Sequence, residues 1–122
     1  TAVYPSFGRE YRLMTTVRVE KKEGHIVSVM ANGHTDYAEE GSDIICAALS
    51  AIIQTAVMGL EKVAEIKDFT YYFADTEGYM EVKLGDLDTE ERHNADVILD
   101  TMLCGISDLA EGCSRFIKLE VK

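Results

Sequence analysis

The stretch from Asp43 to about Ala64 constrains this chain most, because nearly all of its residues are apolar. A β-strand seldom exceeds about ten residues, so an apolar run of this length predicts a helix. Ser42 or Asp43 is a suitable N-cap for it. A helix that is apolar around so much of its circumference is buried on most sides. We therefore expect it to lie on a sheet and to contact a second helix or a second subunit.

Alternating polar and apolar residues predict strands before and after this helix. The predicted strands cover residues 14–20, 25–31, 68–75, 79–84 and 116–121. A second helix begins at Thr89 and ends near Gly112, where the helical period of apolar residues stops. The element order β-β-α-β-β-α-β predicts an α/β (α+β) two-layer sandwich. In this fold a five-stranded mixed sheet carries both helices on one face.

The chain has 122 residues, which is enough for one domain with a core and too few for two. We expect residues 14–122 to form this domain, because the regular pattern begins at Met14. Residues 1–13 lack that pattern and are expected to be an expression remnant or a loose extension. No apolar run reaches the roughly 18 residues of a membrane span, so no membrane association is expected.

Charge and cysteine content restrict the partners and the compartment. The formal net charge of −10 argues against direct binding to nucleic acid and favours a basic peptide or protein instead. The three cysteines, Cys46, Cys104 and Cys113, are odd in number and include no C-x-x-C pair. This pattern is typical of a reducing compartment, and we expect a cytoplasmic protein.

Cys46 and His34 form the candidate catalytic pair. The sequence places Cys46 in the first turn of the apolar helix, where unpaired N–H groups and the helix dipole favour a thiolate. His34 closes the preceding strand. The end of a strand and the start of the next helix meet at one edge of the sheet, so the imidazole can activate the thiol. The alternative is that Cys46 is a small buried hydrophobic residue.

Four further residues are candidates for supporting roles, each with a simpler alternative. Asp43 could orient the imidazole, or only cap the helix. Ser50 lies one turn beyond Cys46 and could bind substrate, or be satisfied by the carbonyl four residues before it. Gly33 and Gly41 could permit unusual torsions that let the intervening loop close over a peptide, or simply mark turns.

The segment between the histidine and the cysteine is the candidate substrate-binding loop. It comprises Thr35, Asp36, Tyr37, Ala38, Glu39, Glu40 and Gly41. Its carboxylates suit a substrate that carries lysines, although they could equally be a solvated acidic surface. One histidine and one cysteine with scattered carboxylates do not make a closed zinc site. Neither a metal nor a cofactor is therefore expected.

These residues resemble the signature of the ribosomal-processing cysteine protease family called Prp. That signature is a Gly-His pair, a variable loop, an aspartate, a cysteine, and a serine on the following helix. The matching residues in this chain are Gly33, His34, Asp43, Cys46 and Ser50. The apolar helix and the element order also resemble the family, so the resemblance extends over residues 14–122.

The resemblance implies a cytosolic endopeptidase that removes a short N-terminal extension from large-subunit ribosomal protein twenty-seven, beside an aromatic pair. By position, Cys46 would be the nucleophile and His34 the general base and acid. Homodimers and a mobile loop between these two residues are also implied. A basic ribosomal protein precursor as substrate is compatible with the acidic charge. Backbone N–H groups at the helix start are candidates for stabilising the oxyanion.

Two other functions are compatible with the same residues. The first is a non-catalytic dimeric binding domain associated with ribosome assembly, in which Cys46 only packs and His34 has no role. The second is a thiol hydrolase that acts on a small acyl substrate. Peptide cleavage and selective reactivity of Cys46 distinguish these functions from the endopeptidase.

Overall fold

The computed structural model describes residues 14–33, 40–74 and 78–122, with only the backbone of residues 40–43. The strands are β1 (Thr15–Lys22), β2 (His25–Asn32), β3 (Phe69–Ala74), β4 (Tyr79–Leu84) and β5 (Ile117–Val121). The helices are α1 (Glu40–Met58), which continues into a π-helical turn at Gly59–Val63, and α2 (Thr89–Gly112). The predicted element order is confirmed, and residues 1–13 lie outside the described part of the chain.

The five strands form one mixed sheet in the order β3-β4-β2-β1-β5. β5 is parallel to β1, and the other neighbouring pairs are antiparallel. The β1–β2 hairpin turns through Glu23 and Gly24, whose φ angles of 55° and 84° suit a tight turn. This register brings the start of β1, the end of β2 and the start of β4 to one edge, since Asn32 pairs with both Thr16 and Tyr79.

The core lies between one face of the sheet and both helices. Val17 and Val19 pair with Ala31 and Val29, and all four side chains are buried on the same face. The helices contribute the side chains that cover this face, with exposures of 0–1%: Ile53, Leu60, Leu99 and Ile106. Both helices therefore cover one face of the sheet, and the predicted two-layer sandwich is confirmed.

The start of α2 is fixed by side-chain caps. Asp88 accepts a 2.8 Å hydrogen bond from the Glu91 N–H, and the Glu91 carboxylate accepts one of 3.0 Å from the Asp88 N–H. This reciprocal capping box satisfies two N–H groups that the helix leaves without partners. The predicted start of the second helix at Thr89 is confirmed.

The start of α1 differs from the prediction. The helix begins at Glu40 rather than at position 43, so Glu40 and Gly41 are helical and do not belong to the loop. The apolar pattern did not predict this additional turn, because the residues before Asp43 are not apolar. Acidic side chains are nevertheless favourable at a helix N-terminus. Cys46 consequently lies in the second turn of α1, and its prediction as a first-turn residue is wrong.

The expectation that no segment could span a membrane is also wrong on length and composition. Ile44–Val63 is long and apolar enough to cross a bilayer. One such helix is weak evidence, because the core helix of a soluble protein has the same properties. Here Leu49, Ile53 and Leu60 are buried in the core. Only 28% of the segment is buried within the single chain, so much of its apolar surface remains exposed.

Candidate active site

Cys46 opens onto a cleft of about 480 Å³ between α1 and the sheet. The thiol is half-buried and has no disulfide partner. The cleft is lined from one helix and four strands by Thr15, Ala31, Cys46, Ala47, Leu49, Ser50, Ala51, Gln54, Phe73, Gly78 and Met80. Among these described lining residues, Cys46 is the one titratable group. The thiol of Cys46, the candidate nucleophile, therefore lies in a largely apolar cleft wide enough for a peptide side chain.

The first residue of β1 contacts the thiol directly. Thr15 Oγ1 lies 3.5 Å from Cys46 Sγ, within hydrogen-bonding range for sulfur. The Thr15 side chain is only 4% exposed, and its backbone N–H donates a 2.8 Å hydrogen bond to the Phe116 carbonyl. Because a buried hydroxyl requires a partner, this contact fixes the side chains of Thr15 and Cys46 relative to each other.

Ser50 lines the same cleft as Cys46, one turn further along α1. The prediction that the two side chains share a helix face is thus confirmed, and Gln54 extends that face by one more turn. Ser50 is half-buried, so its hydroxyl is available to a ligand in the cleft. This contact surface was predictable because Cys46 and Ser50 are four positions apart, and residues at that spacing lie on the same face of a helix.

Gly33 adopts an unusual torsion, which is one of the two roles that the sequence left open for it. Its φ is +129°, and a Cβ there would lie 2.6 Å from the Met14 carbonyl oxygen and 3.0 Å from Thr15 Cα. Its N–H donates a 3.3 Å hydrogen bond to the Gly78 carbonyl. Side chains other than hydrogen are therefore excluded where β2 ends against the start of β1.

An aromatic wall borders the cleft opposite α1. Phe73 is 43% exposed and stacks on Tyr71 with ring centroids 6.5 Å apart. Burial raises the pKa of the Tyr71 phenol above its ordinary value, so the stacked pair stays neutral. Tyr79, on the opposite face of the sheet, does not line the cleft; its pKa is also raised, first by burial and then by the neighbouring Glu81 carboxylate. The wall therefore presents neutral aromatic surface to a ligand.

Several predicted site residues lie outside the described part of the chain. These are His34, Thr35, Asp36, Tyr37, Ala38 and Glu39, together with the side chain of Asp43. The separation of His34 from Cys46 and the role of Asp43 remain predictions. Gly41, expected to permit an unusual loop torsion, is instead part of α1.

Two residues of the cleft, Thr15 and Phe73, were not among the site residues predicted from the sequence. Thr15 begins an alternating β-branched strand, where threonine normally indicates only strand propensity. For Phe73 the two-residue alternation with Tyr71 was the available signal, because both side chains lie on one face. Neither pattern identifies the neighbour across the sheet, which depends on the strand order.

A second polar cluster lies away from the cleft. His25 Nδ1 is 2.7 Å from Asp96 Oδ2, and Arg92 donates a 3.2 Å hydrogen bond to the Ile26 carbonyl. These contacts connect the start of β2 to α2, so the cluster has a structural role. Within the described ranges, no group of three or more His, Cys, Asp or Glu side chains could hold a metal ion.

Comparison with protein families gives a match over nearly all of the regular structure. The family described as cysteine protease Prp matches residues 14–118. The ribosomal processing cysteine protease Prp of Staphylococcus aureus (strain Mu50 / ATCC 700699) is 33% identical over 103 residues, which cover 82% of this chain and 91% of that protein. The protein of the same name from Bacillus subtilis (strain 168) is 28% identical over 103 residues, or 80% and 86% of the two chains.

Solved structures show the same fold. The S. aureus ribosomal processing protease Prp in complex with a substrate peptide is similar with a TM-score of 0.79 and 27% identity, covering 89% of this chain and all of that one. The same protease with a covalently linked product peptide gives a TM-score of 0.75 and 29% identity, with the same coverage. Both comparison structures hold a peptide.

Proposed function

This chain belongs to the Prp family of ribosomal-processing cysteine proteases, and on that premise we propose that it removes the N-terminal extension of large-subunit ribosomal protein twenty-seven. Cys46 is the nucleophile and His34 is the general base and acid. The substrate is a basic ribosomal protein precursor, and the net charge of −10 favours encounter with it. The reaction takes place in the cytoplasm.

The observation that carries this proposal is a series of contacts at the edge of the sheet, which runs from Gly33 through Thr15 to Cys46. Gly33 packs against Thr15, with an ideal Cβ position 3.0 Å from Thr15 Cα. Thr15 Oγ1 in turn lies 3.5 Å from Cys46 Sγ. The residue before His34 and the thiol are thus separated by one side chain. This arrangement supports a Cys46–His34 pair, because His34 is the residue that directly follows Gly33 in the chain.

The proposed chemistry begins with attack of the Cys46 thiolate on the scissile carbonyl carbon. The C–S bond forms while the carbonyl π pair moves to oxygen. Collapse of this intermediate breaks the C–N bond, and the leaving nitrogen takes a proton from the His34 imidazolium. Water then gives a proton to His34 and attacks the thioester. The C–S bond breaks as the acid product leaves and the thiolate is restored.

Two parts of the fold would assist this reaction. The first four N–H groups of α1, on residues 40–43, have no intrahelical acceptors, and the last of them, on Asp43 one turn before Cys46, is our candidate for binding the oxyanion. Phe73 and Met80 offer an apolar surface beside the thiol for a substrate side chain.

A peptide that copies the N-terminal extension and the following residues of the ribosomal protein tests this function. We expect the protein to convert it into two products with one cleavage site, beside the aromatic pair. Mass spectrometry of the products identifies the new termini. A peptide with the same composition in scrambled order is the control. An intact specific peptide, or equal cleavage of both peptides, would contradict the proposal.

We also propose that the protein is a homodimer. An apolar groove of about 530 Å³ lies between the outer surfaces of the two helices. It is lined by Ala51, Ile52, Thr55, Ala56, Gly59, Val97, Ile98, Thr101 and Met102. Val97 is 55% exposed in the single chain. A second copy that covers this groove would bury the apolar surface that α1 leaves exposed.

Sedimentation velocity tests the dimer. We expect a species of twice the 13.6 kDa chain mass at micromolar concentration. Val97→Lys places a charge in the groove and should shift the sedimentation profile toward monomer. Ser107→Lys is the matched control, because Ser107 is exposed on the same helix and does not line the groove. A monomeric wild-type protein would refute the proposal.

A further inference from the structure

We propose that Thr15 is a positioning residue for the nucleophile: its hydroxyl holds Cys46 Sγ toward the cleft and donates a hydrogen bond to the thiolate. This inference rests on the proposed function, because it concerns the thiol that the mechanism uses. It adds a residue outside the Gly-His, Asp, Cys and Ser positions of the family signature. The hydroxyl comes from β1, the strand that precedes the signature in sequence.

The position of Cys46 in α1 creates the need for such a donor. The favourable field of a helix N-terminus is confined to the first turn. Cys46 follows Glu40 by six positions, which is about 9 Å along the helix axis. Its own N–H belongs to the hydrogen-bonded interior of the helix. The helix start therefore stabilises a thiolate at Cys46 less than the sequence pattern indicated.

The cleft offers few other groups to a sulfur anion. Its described lining is mainly apolar, and apart from Thr15 the polar side chains are Ser50 and Gln54 on α1 itself. Thr15 is 4% exposed, so water does not compete for its hydroxyl. At 3.5 Å from Sγ the hydroxyl is in contact with the thiol already. A donor that is buried and held by the sheet loses little entropy when it stabilises the anion.

The hydrogen bond has a definite role in each protonation state. With a neutral thiol, either the S–H or the O–H can donate, and the contact fixes the side-chain rotamer. With the thiolate, only the O–H can donate, so the bond favours the charged form. The same bond stabilises the sulfur when the C–S bond of the thioester breaks. Thr15 thereby acts on acylation and on deacylation through Cys46.

Alkylation of Cys46 across a pH series tests this inference without any substrate. We propose to react the protein with iodoacetamide between pH 5.5 and pH 10 (about the range of thiol titration) and to quantify modified Cys46 by peptide mass spectrometry. This readout separates Cys46 from Cys104, which is exposed, and from Cys113. The variants are Thr15→Val, Thr15→Ala and Thr15→Ser, each checked for folding by thermal unfolding.

Removal of the hydroxyl should shift the alkylation profile of Cys46 toward higher pH, because the thiolate loses its donor. The rate would then fall about three- to tenfold at low pH and converge with wild type at high pH, where both proteins are fully thiolate. Thr15→Ser should restore the wild-type profile. Thr16→Val is the matched control, because Thr16 is the next residue of β1 and points to the opposite face.

Three results would overturn the inference. One is a Thr15→Val profile that superimposes on wild type. Another is a rate that falls by the same factor at every pH, which indicates altered access rather than a lost donor. The third is failure of Thr15→Ser to rescue. If either Thr15→Val or Thr15→Ala does not fold, the other of these two substitutions and Thr15→Ser still test the inference.

Peptide cleavage separates failure of this inference from failure of the proposed function. If wild type cleaves the specific peptide, Thr15→Val should lower kcat about three- to tenfold near neutral pH with little change in KM. A shifted alkylation profile in a protein that cleaves no peptide would retain Thr15 as the thiolate donor and reject the protease. Cleavage by wild type with an unshifted Thr15→Val profile would reject Thr15 alone.

Discussion

Replacing Cys46 with alanine is expected to lower cleavage of the specific peptide by about a thousandfold or more. In the proposed mechanism the Cys46 thiolate forms the covalent bond, and enzymes that lose their nucleophile keep only the contributions of binding and oxyanion stabilisation. Cys46 is half-buried at the wall of the cleft, so the substitution removes one sulfur without opening the core. The rate of product formation under single-turnover conditions measures the loss.

Cys104→Ala is the matched control for this prediction. Cys104 is a free thiol that lies exposed on α2. Its loss should leave cleavage within about twofold of wild type, because surface substitutions seldom alter a distant site. Retained cleavage by Cys46→Ala, or an equal loss in Cys104→Ala, would assign the chemistry to another residue.

Replacing Gly33 with alanine is expected to cost about 3 kcal/mol of unfolding free energy, because two penalties combine at this position. The backbone has φ +129°, which side chains rarely tolerate. The new Cβ would also lie 2.6 Å from the Met14 carbonyl oxygen. The start of β1 cannot easily yield, since the Thr15 N–H is hydrogen-bonded to the Phe116 carbonyl. Urea unfolding measures the free-energy change.

Substitutions at two other glycines distinguish the torsional penalty from the steric one. Gly24 has φ +84° and open space around a built Cβ, so Gly24→Ala should cost about 1 kcal/mol from torsion alone. Gly112 has neither feature, and its replacement by alanine should cost nothing measurable. If Gly33→Ala is no more destabilising than Gly24→Ala, the close approach to Met14 has no energetic consequence.

Gly33→Ala should also reduce peptide cleavage, at a denaturant-free condition where the protein is still folded. The added methyl group pushes on the backbone at Thr15, which contacts the nucleophile, and it precedes the proposed base His34. We expect a loss of about tenfold to a hundredfold in kcat/KM, the size associated with small misplacements in a catalytic site. Gly24→Ala should leave kcat/KM unchanged.

The elements of the fold were predictable because each has a strong local pattern. Alternation along β1 and β2 identified both strands, and the apolar run after Asp43 identified α1. The start of α1 at Glu40 was not predictable from hydrophobicity, because its first turn consists of polar residues and glycine. The family was also predictable, since the spacing of Gly33, His34, Cys46 and Ser50 is a property of the sequence itself.

Contacts between residues far apart in the chain could not be predicted from the sequence. Two of the four pairs of neighbouring strands, β4 with β2 and β1 with β5, are not consecutive in sequence. Thr15 and Cys46 are 31 positions apart, and their contact depends on where β1 lies in the sheet. Phe73 reaches the cleft because β3 pairs with β4 through the Phe73–Met80 register. No local pattern encodes either contact.

The central claim is that Cys46 performs the cleavage, and progressive alkylation tests it most directly. Aliquots of the protein are modified to increasing extents with iodoacetamide near neutral pH, and each is assayed for peptide cleavage and for modification of Cys46, Cys104 and Cys113. Activity should fall in proportion to the modified fraction of Cys46 and reach zero when that fraction is complete. Cleavage that persists with Cys46 fully alkylated would contradict the claim.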